Sequence, residues 1–142
     1  AIRLLVDGGV CVICAGGGGI PVMRKATGGM EGVEAVIDKD RTAALLAMEL
    51  QADVLLMLTD VAAIFADWGQ PSQRALDDIT PDALEAFSFD AGSMGPKVAS
   101  ACSFVRAGGT MAGVGRLTDA RAIVEGRAGT RISNTSAPNL PR

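Results

Sequence analysis

The sequence predicts an α/β domain with a mostly parallel β-sheet and helices on both of its faces. Strand-like apolar runs alternate with helix-like segments, as crossover connections between parallel strands require. The composition suits a buried sheet, since 49% of the residues are hydrophobic, 4% are aromatic and 18 are glycines. Polar or glycine-rich loops follow several predicted strands, at the end where open α/β sheets bind ligands.

Length and charge exclude several classes of function. A chain of 142 residues forms one domain or part of one. The net charge is −3 and the basic residues are scattered, which argues against nucleic acid or an anionic membrane as the main partner. No apolar run reaches the roughly 18 residues of a membrane span, and no secretory signal is visible.

The chain opens with a predicted helix from Ile2 that ends at Gly8 and Gly9. Because there is no initiator methionine and a domain rarely starts inside a helix, we expect an upstream portion to be missing. A buried strand is predicted over residues 10–15, followed by a glycine run at 16–19. The run matches neither GxGxxG nor GxxxxGK[ST], so it predicts either a close approach to a ligand or a tight turn.

Cys11 and Cys14 have the CxxC spacing of redox and metal sites. In a strand, however, residues i and i+3 point to opposite faces, and the chain has no second CxxC and no histidine. We therefore favour a core-packing role for both, and three cysteines fit a reducing compartment.

The remaining elements follow from periodicity and capping signals. The predicted strands and helices are a hairpin with arms at 20–25 and 32–37, a helix at 41–51, a central strand at 53–59, a short strand at 61–66, helices at 80–87 and 96–107, a strand at 110–114, a helix at 118–125 and an edge strand at 130–133. The domain is expected to span residues 1–134, with a disordered tail at 135–142.

The stretch DAGSMGPK carries the strongest functional signal. Gly92, Gly95 and Pro96 suit a helix entrance, with Pro96 at the first helical position. Lys97 would then lie in the first turn, where the helix dipole disfavours a cation by about 0.3–1 kcal/mol. Free backbone N–H groups and a lysine in the first helical turn together favour a binding site for an anion such as phosphate. The alternative is a lysine that extends into water from an ordinary helix start.

A second lysine, Lys39, also lies in a predicted first turn. Two such lysines are explained best by a shared polyanion, because phosphoryl transfer requires cations at the transferring group. Asp40 is expected either to cap its helix or to orient the lysines. Asp38 and Asp60 are candidates for similar work or for Mg²⁺, with turn residues at strand ends as the alternative.

Two other side chains have open interpretations. Trp68 follows the central strand and would either flank an adenine ring or cover an apolar edge. Ser93 has no adjacent base, which argues against a serine-nucleophile hydrolase.

Six segments in this order resemble the C-terminal half of the carbamate kinases, members of the amino-acid kinase superfamily. They are CVICAGGGGIPV, GVEAVIDKD, LTDVAAIF, WGQPSQRAL, FDAGSMGPKVASAC and GRLTDARAIVEGRAGTRI. The combination of IDKD with GSMGPK is specific to carbamate kinases, whereas the LTDV strand end is shared with acetylglutamate, uridylate and aspartate kinases. The resemblance covers residues 1–132.

This resemblance implies a three-layer α/β/α sandwich that is incomplete at its N-terminus. It implies reversible phosphoryl transfer between MgATP and carbamate, giving ADP and carbamoyl phosphate and usually run towards ATP, in arginine or purine breakdown. The cofactors would be ATP or ADP with Mg²⁺, and the protein would be a cytoplasmic homodimer without a nucleic-acid or membrane partner.

The resemblance also implies roles for individual residues. Lys97 and Lys39 would contact the phosphates, with Asp40 organising the lysines. The nucleotide site would comprise Thr59, Asp60, Gly92, Ser93, Met94 and Lys97, and the substrate-side loop would comprise Gly17, Gly18 and Gly19.

Departures from the family pattern keep two alternatives open. The family's N-terminal half is absent, Phe65 replaces the usual aromatic after LTDV, and the residues after Ile132 do not follow the family's ending. One alternative is a catalytically silent module for nucleotide binding or dimerisation. The other is an acetylglutamate or UMP kinase, which would carry an NAD-like tripeptide where this chain has Asp38, Lys39 and Asp40.

Overall fold

A computed structural model describes residues 1–135, in which helices and short strands alternate. In chain order the elements are α1 (Ile2–Asp7), β1 (Val22–Arg24), β2 (Met30–Gly32), α2 (Lys39–Leu50), β3 (Val54–Thr59), β4 (Phe65–Ala66), β5 (Arg74–Ala75), β6 (Asp78–Ile79), α3 (Pro81–Leu84), α4 (Met94–Arg106), β7 (Met111–Arg116), α5 (Ala120–Val124) and β8 (Thr130–Ile132). A 3₁₀ turn, Leu117–Asp119, leads into α5.

The main sheet has the strand order β3-β7-β8-β6. The pairs β3–β7 and β6–β8 are parallel, whereas β7 and β8 are antiparallel. The prediction of a mostly parallel sheet is therefore confirmed. Two small antiparallel hairpins, β1–β2 and β4–β5, lie outside this sheet.

Helices cover both faces of the sheet around β7. On one face, Ala112 and Val114 are fully buried in a core shared with α2 and α4. Two of the residues that alternate with them, Gly113 and Gly115, are glycines, and a Cβ on Gly113 would lie 2.5 Å from the Ile123 Cγ2 atom of α5. Glycine at this position lets α5 pack close to the second face, which completes the three layers.

Local signals correctly predicted the start of α3 and located the starts of α2 and α4 to within two residues. Asp38 caps α2, since its carboxylate accepts a hydrogen bond from the Arg41 N–H at 2.8 Å. Thr80 caps α3, with Pro81 at its first position. Helix α4 begins at Met94, two residues before the predicted start, and the Asp90 carbonyl accepts a hydrogen bond from the Gly95 N–H at 2.8 Å.

The predicted buried strand over residues 10–15 is wrong. This segment is irregular, and Ile13 is 99% exposed. An apolar run forms a strand only when another strand pairs with its backbone, and no strand among the described residues does so here.

Two strand positions also differ from the prediction. The predicted edge strand, β8, lies inside the sheet, because β6 pairs with its free side. The predicted central strand, β3, lies at one edge of the four-stranded sheet that the structure describes. The second arm of the hairpin, predicted at 32–37, is the earlier segment Met30–Gly32.

The predicted tail, 135–142, lies outside the described residues apart from Thr135. Over residues 1–135, none of the helices has the length and hydropathy that crossing a bilayer requires.

Candidate functional site

A cavity of about 300 Å³ opens beyond the carboxyl end of β3, which is within the usual range for small-molecule sites. The end of β3, the segment around β4 and the start of α4 form its walls. Its lining residues are Thr59, Asp60, Val61, Ala63, Phe65, Trp68, Ser88, Phe89, Asp90, Ser93, Met94 and Lys97.

Lys97 is tied to Asp40 at the edge of this cavity. The Lys97 Nζ atom donates hydrogen bonds to both carboxylate oxygens of Asp40, at 3.0 and 2.9 Å. Both side chains are nearly buried, with 12% and 11% of their surfaces exposed. Burying two charges has a large desolvation cost, which the mutual attraction and the two hydrogen bonds of the pair offset.

Lys39 lies on the outer side of the same carboxylate. Its Nζ atom is 3.7 Å from the Asp40 Oδ2 atom, and its side chain is 64% exposed. Asp40 therefore lies between two ammonium groups. That of Lys97 is nearly buried and hydrogen-bonded to it, whereas that of Lys39 is exposed and more distant. The capping alternative for Asp40 is wrong, because Asp38 caps the helix. The orienting role of Asp40 stays a prediction.

The glycine run lies against the start of α2. The Gly18 carbonyl accepts a hydrogen bond from the Thr42 hydroxyl at 2.9 Å. Gly18 has φ of +140°, and a Cβ there would lie 2.2 Å from the Ile37 carbonyl oxygen, so only glycine fits. Gly17 and Gly19 are exposed. The loop is near the Lys39–Asp40 turn but does not line the cavity.

The entrance to α4 is a tight turn. The Asp90 carboxylate accepts a hydrogen bond from the Gly92 N–H at 2.8 Å, and the side chain of Ser93 forms no capping bond. Ser93 and Met94 line the cavity, whereas Gly92 lies beside it without lining it. The predicted nucleotide residues Thr59, Asp60 and Lys97 also line the cavity.

Phe89 is a lining residue that the sequence did not single out. Phe65 and Trp68 pack with their ring centroids 5.3 Å apart, and Phe89 lines the same cavity. Trp68 is 63% exposed, so most of its ring is free to contact a ligand. Phe89 stands just before the GSMGPK loop, and that proximity is the signal that would have indicated it.

The carboxylates at the cavity fit a magnesium ion only if the ion arrives with a phosphate ligand. The described residues contain no cluster of three or more histidine, cysteine or acidic side chains that could hold a metal ion. Asp60 and Asp90 both line the cavity. One or two carboxylates together with substrate phosphates are the usual ligands of Mg²⁺ in kinases.

Comparison with known proteins assigns the family. The model of the amino acid kinase family matches residues 1–114. The chain belongs to the amino acid kinase family.

Within this family, the chain is similar to carbamate kinases. It is 51% identical to the carbamate kinase of Rhizobium meliloti and 48% identical to that of Haemophilus influenzae, over 94% and 93% of its own length. It spans only 42% and 43% of those two proteins. The resemblance predicted from the sequence motifs is confirmed.

A solved structure supports the fold. Carbamate kinase from Giardia lamblia bound to AMP-PNP superimposes with a TM-score of 0.90 at 41% identity, over 94% of this chain and 48% of that one. The predicted three-layer amino acid kinase fold is confirmed over the matched region.

Proposed function

We propose that this chain carries the nucleotide-binding part of a carbamate kinase. The reaction would be reversible phosphoryl transfer between MgATP and carbamate, giving ADP and carbamoyl phosphate, and run mainly towards ATP. The observation that carries the proposal is the nearly buried Lys97–Asp40 pair at the edge of a cavity of about 300 Å³. The identity to carbamate kinases and the AMP-PNP complex of the Giardia protein support it.

The two lysines would supply positive charge to the transferring phosphoryl group. Little covalent chemistry is needed in phosphoryl transfer, so fixed cations at the developing charge are the main contribution of the protein. Lys97 is held in place by Asp40, and the exposed Lys39 could close onto a bound polyphosphate. Asp40 would keep the two ammonium groups near each other without neutralising either completely.

The cavity would hold the adenine nucleotide. Trp68, Phe65 and Phe89 line the cavity and would contact the base, and the turn of Gly92, Ser93 and Met94 at the start of α4 would contact the phosphates. Thr59 and Asp60 lie at the end of β3, where the Thr59 hydroxyl donates a hydrogen bond to the Asp60 carboxylate at 3.0 Å. Asp60 would approach the Mg²⁺ carried by the nucleotide.

The carbamate side would be formed by the glycine run. Gly17, Gly18 and Gly19 lie next to the turn that carries Lys39 and Asp40, because Gly18 is bonded to Thr42. We also propose a cytoplasmic homodimer, on the similarity to carbamate kinases.

The first test is thermal unfolding of the chain with increasing MgADP. A ligand present at about 100 times its dissociation constant stabilises a folded protein by about 2.7 kcal/mol. We expect the midpoint to rise with MgADP in the wild type and in Lys25→Ala, and much less in Lys97→Ala. Lys25 is a matched control, because it is the one lysine of the sequence besides Lys39 and Lys97. It lies in the β1–β2 hairpin, outside the cavity lining.

The second test is ATP formation from MgADP and carbamoyl phosphate. We expect Lys97→Ala to lower the rate by about 100-fold or more, as removal of a key electrostatic group does in other enzymes. Turnover of Lys97→Ala at the wild-type rate would overturn the role given to Lys97. Binding of MgADP without any ATP formation would instead favour the silent-module alternative, which agrees with a chain that spans less than half of its relatives.

A further inference from the structure

The β4–β5 hairpin is closed by a hydroxyl group from another part of the chain. Ile64 and Leu76 face each other just beyond the paired residues Phe65 and Ala75. The Leu76 N–H donates a hydrogen bond to the Ile64 carbonyl at 2.8 Å. In a regular antiparallel pair the Ile64 N–H would return a bond to the Leu76 carbonyl. Here it donates to the Thr130 Oγ1 atom at 2.8 Å instead.

The Thr130 hydroxyl bridges Ile64 and Leu76. Its hydroxyl accepts from the Ile64 N–H and donates to the Leu76 carbonyl, so the missing direct bond is replaced by a relay through one oxygen. Thr130 is 0% exposed, and no water can take over either bond at a fully buried position.

The relay connects the hairpin to the main sheet. Thr130 is the first residue of β8 and pairs with Val114 of β7. The neighbouring backbone is tightly packed, since a Cβ on Gly115 would lie 3.0 Å from the Ala62 carbonyl oxygen and 3.2 Å from the Gly129 Cα atom. The base of the hairpin therefore rests on the carboxyl end of β7 and the start of β8.

The same hairpin carries the aromatic wall of the cavity. Phe65 directly follows Ile64, and Trp68 packs on Phe65. A shift of the Ile64 backbone would therefore move both rings relative to Lys97, which lines the same cavity.

We propose that Thr130 is a positioning residue whose hydroxyl holds the β4–β5 hairpin so that Phe65 and Trp68 form the nucleotide-base wall. The ligand named here rests on the proposed function. The hydroxyl itself touches no ligand, because Thr130 does not line the cavity. Its effect on the ligand is transmitted through the Ile64 backbone.

The experiment compares Thr130→Val, which keeps the shape and loses the hydroxyl, with Thr130→Ser, which keeps the hydroxyl. Phe104→Leu is the control, since Phe104 is also buried (1% exposed) but packs against Gly109, before the start of β7, whereas the hairpin base lies at the carboxyl end of β7. Trp68 is the only tryptophan, so its fluorescence and its quenching by acrylamide report on the hairpin alone. Affinity for MgADP is measured on the same samples.

We expect Thr130→Val to change the quenching of Trp68 and to raise the Kd of MgADP by about tenfold, or 1.4 kcal/mol. Thr130→Ser and Phe104→Leu should keep the wild-type quenching and affinity. Wild-type quenching in a folded Thr130→Val protein would overturn the proposal, whatever its stability. If the wild type does not bind MgADP, the proposed function fails while the quenching comparison still decides the role of Thr130.

Amide hydrogen exchange tests the relay even if Thr130→Val does not fold. In the wild-type chain we expect the Ile64 amide to be protected as strongly as the Leu76 amide, because both are bonded at the hairpin base. Fast exchange at Ile64 beside slow exchange at Leu76 would overturn the proposal.

Discussion

The ammonium group of Lys97 lies 2.9 and 3.0 Å from the two carboxylate oxygens of Asp40, and this pair joins the first turns of α2 and α4. The two residues are 57 positions apart in the sequence. Both oxygens of the carboxylate are used, so the lysine side chain has a defined direction before any ligand binds.

We predict that Asp40→Asn destabilises the protein by about 3 kcal/mol, the usual cost of leaving a buried charge without its partner. Lys97 would then be nearly buried without a counter-charge, since only 12% of its side chain is exposed. Urea unfolding of the variant and the wild type measures the difference. Asp38→Asn is the control, because asparagine still caps a helix, and its stability should stay within about 1 kcal/mol of the wild type. Equal stability of Asp40→Asn and the wild type would contradict the prediction.

Lys39 should affect phosphate binding more than stability. Its contact with Asp40 is 3.7 Å long and exposed, and such pairs contribute at most about 1 kcal/mol. We expect Lys39→Ala to unfold at nearly the wild-type urea midpoint and to bind MgADP about tenfold more weakly, or 1.4 kcal/mol. Isothermal titration with MgADP and with adenosine checks this, and adenosine should bind the variant and the wild type equally. A similar loss for both ligands would show that Lys39 does not act on the phosphates.

Trp68 should stack on the nucleotide base. Its ring is 63% exposed at the cavity wall, and stacking of a base on an aromatic ring is worth about 1–3 kcal/mol. We expect MgADP to quench the fluorescence of the wild type, and Trp68→Ala to weaken binding by at least fivefold, about 1 kcal/mol. Trp68→Phe should retain most of the affinity, because it keeps an aromatic face. Unchanged binding by Trp68→Ala would assign the ring to covering an apolar edge.

The cysteines should differ sharply in reactivity. Burial raises the pKa of the Cys102 thiol, with an opposing effect from the Arg106 charge, whereas Cys11 is exposed. Because the thiolate is the reactive form, a thiol reagent at pH 8 should modify Cys11 within minutes and leave Cys102 unmodified until the protein unfolds. Mass spectrometry of the labelled peptides measures this. Labelling of Cys102 as fast as Cys11 in the folded protein would contradict it.

Local sequence signals predicted the elements that depend on near neighbours. The Thr80–Pro81 start of α3 and the apolar run of β3 each depend on residues a few positions apart, and each is present in the structure. The same signals could not decide between capping and orienting roles for Asp40, because the two alternatives use the same residue at the same turn.

The pairing of strands that are distant in the sequence could not be predicted from local signals. The position of β8 inside the sheet depends on its parallel pairing with β6 (Asp78–Ile79), a strand too short to give a recognisable sequence pattern. The segment 10–15 has the composition of a buried strand and no strand beside it among the described residues. An apolar segment is buried only when another strand or helix packs against it, and the amino-acid composition does not show whether such an element is present.

The sequence by itself determined the α/β class, the helix starts that bring Lys39, Asp40 and Lys97 to loop ends, and the resemblance to carbamate kinases. These follow from periodicity, capping and motif order, which are properties of neighbouring residues. Only the tertiary structure decided that Asp40 holds Lys97, that Phe89 joins Trp68 at one cavity and that Thr130 closes the β4–β5 hairpin. These contacts join residues more than 20 positions apart, and packing of the sheet and helices, rather than local spacing, brings them together.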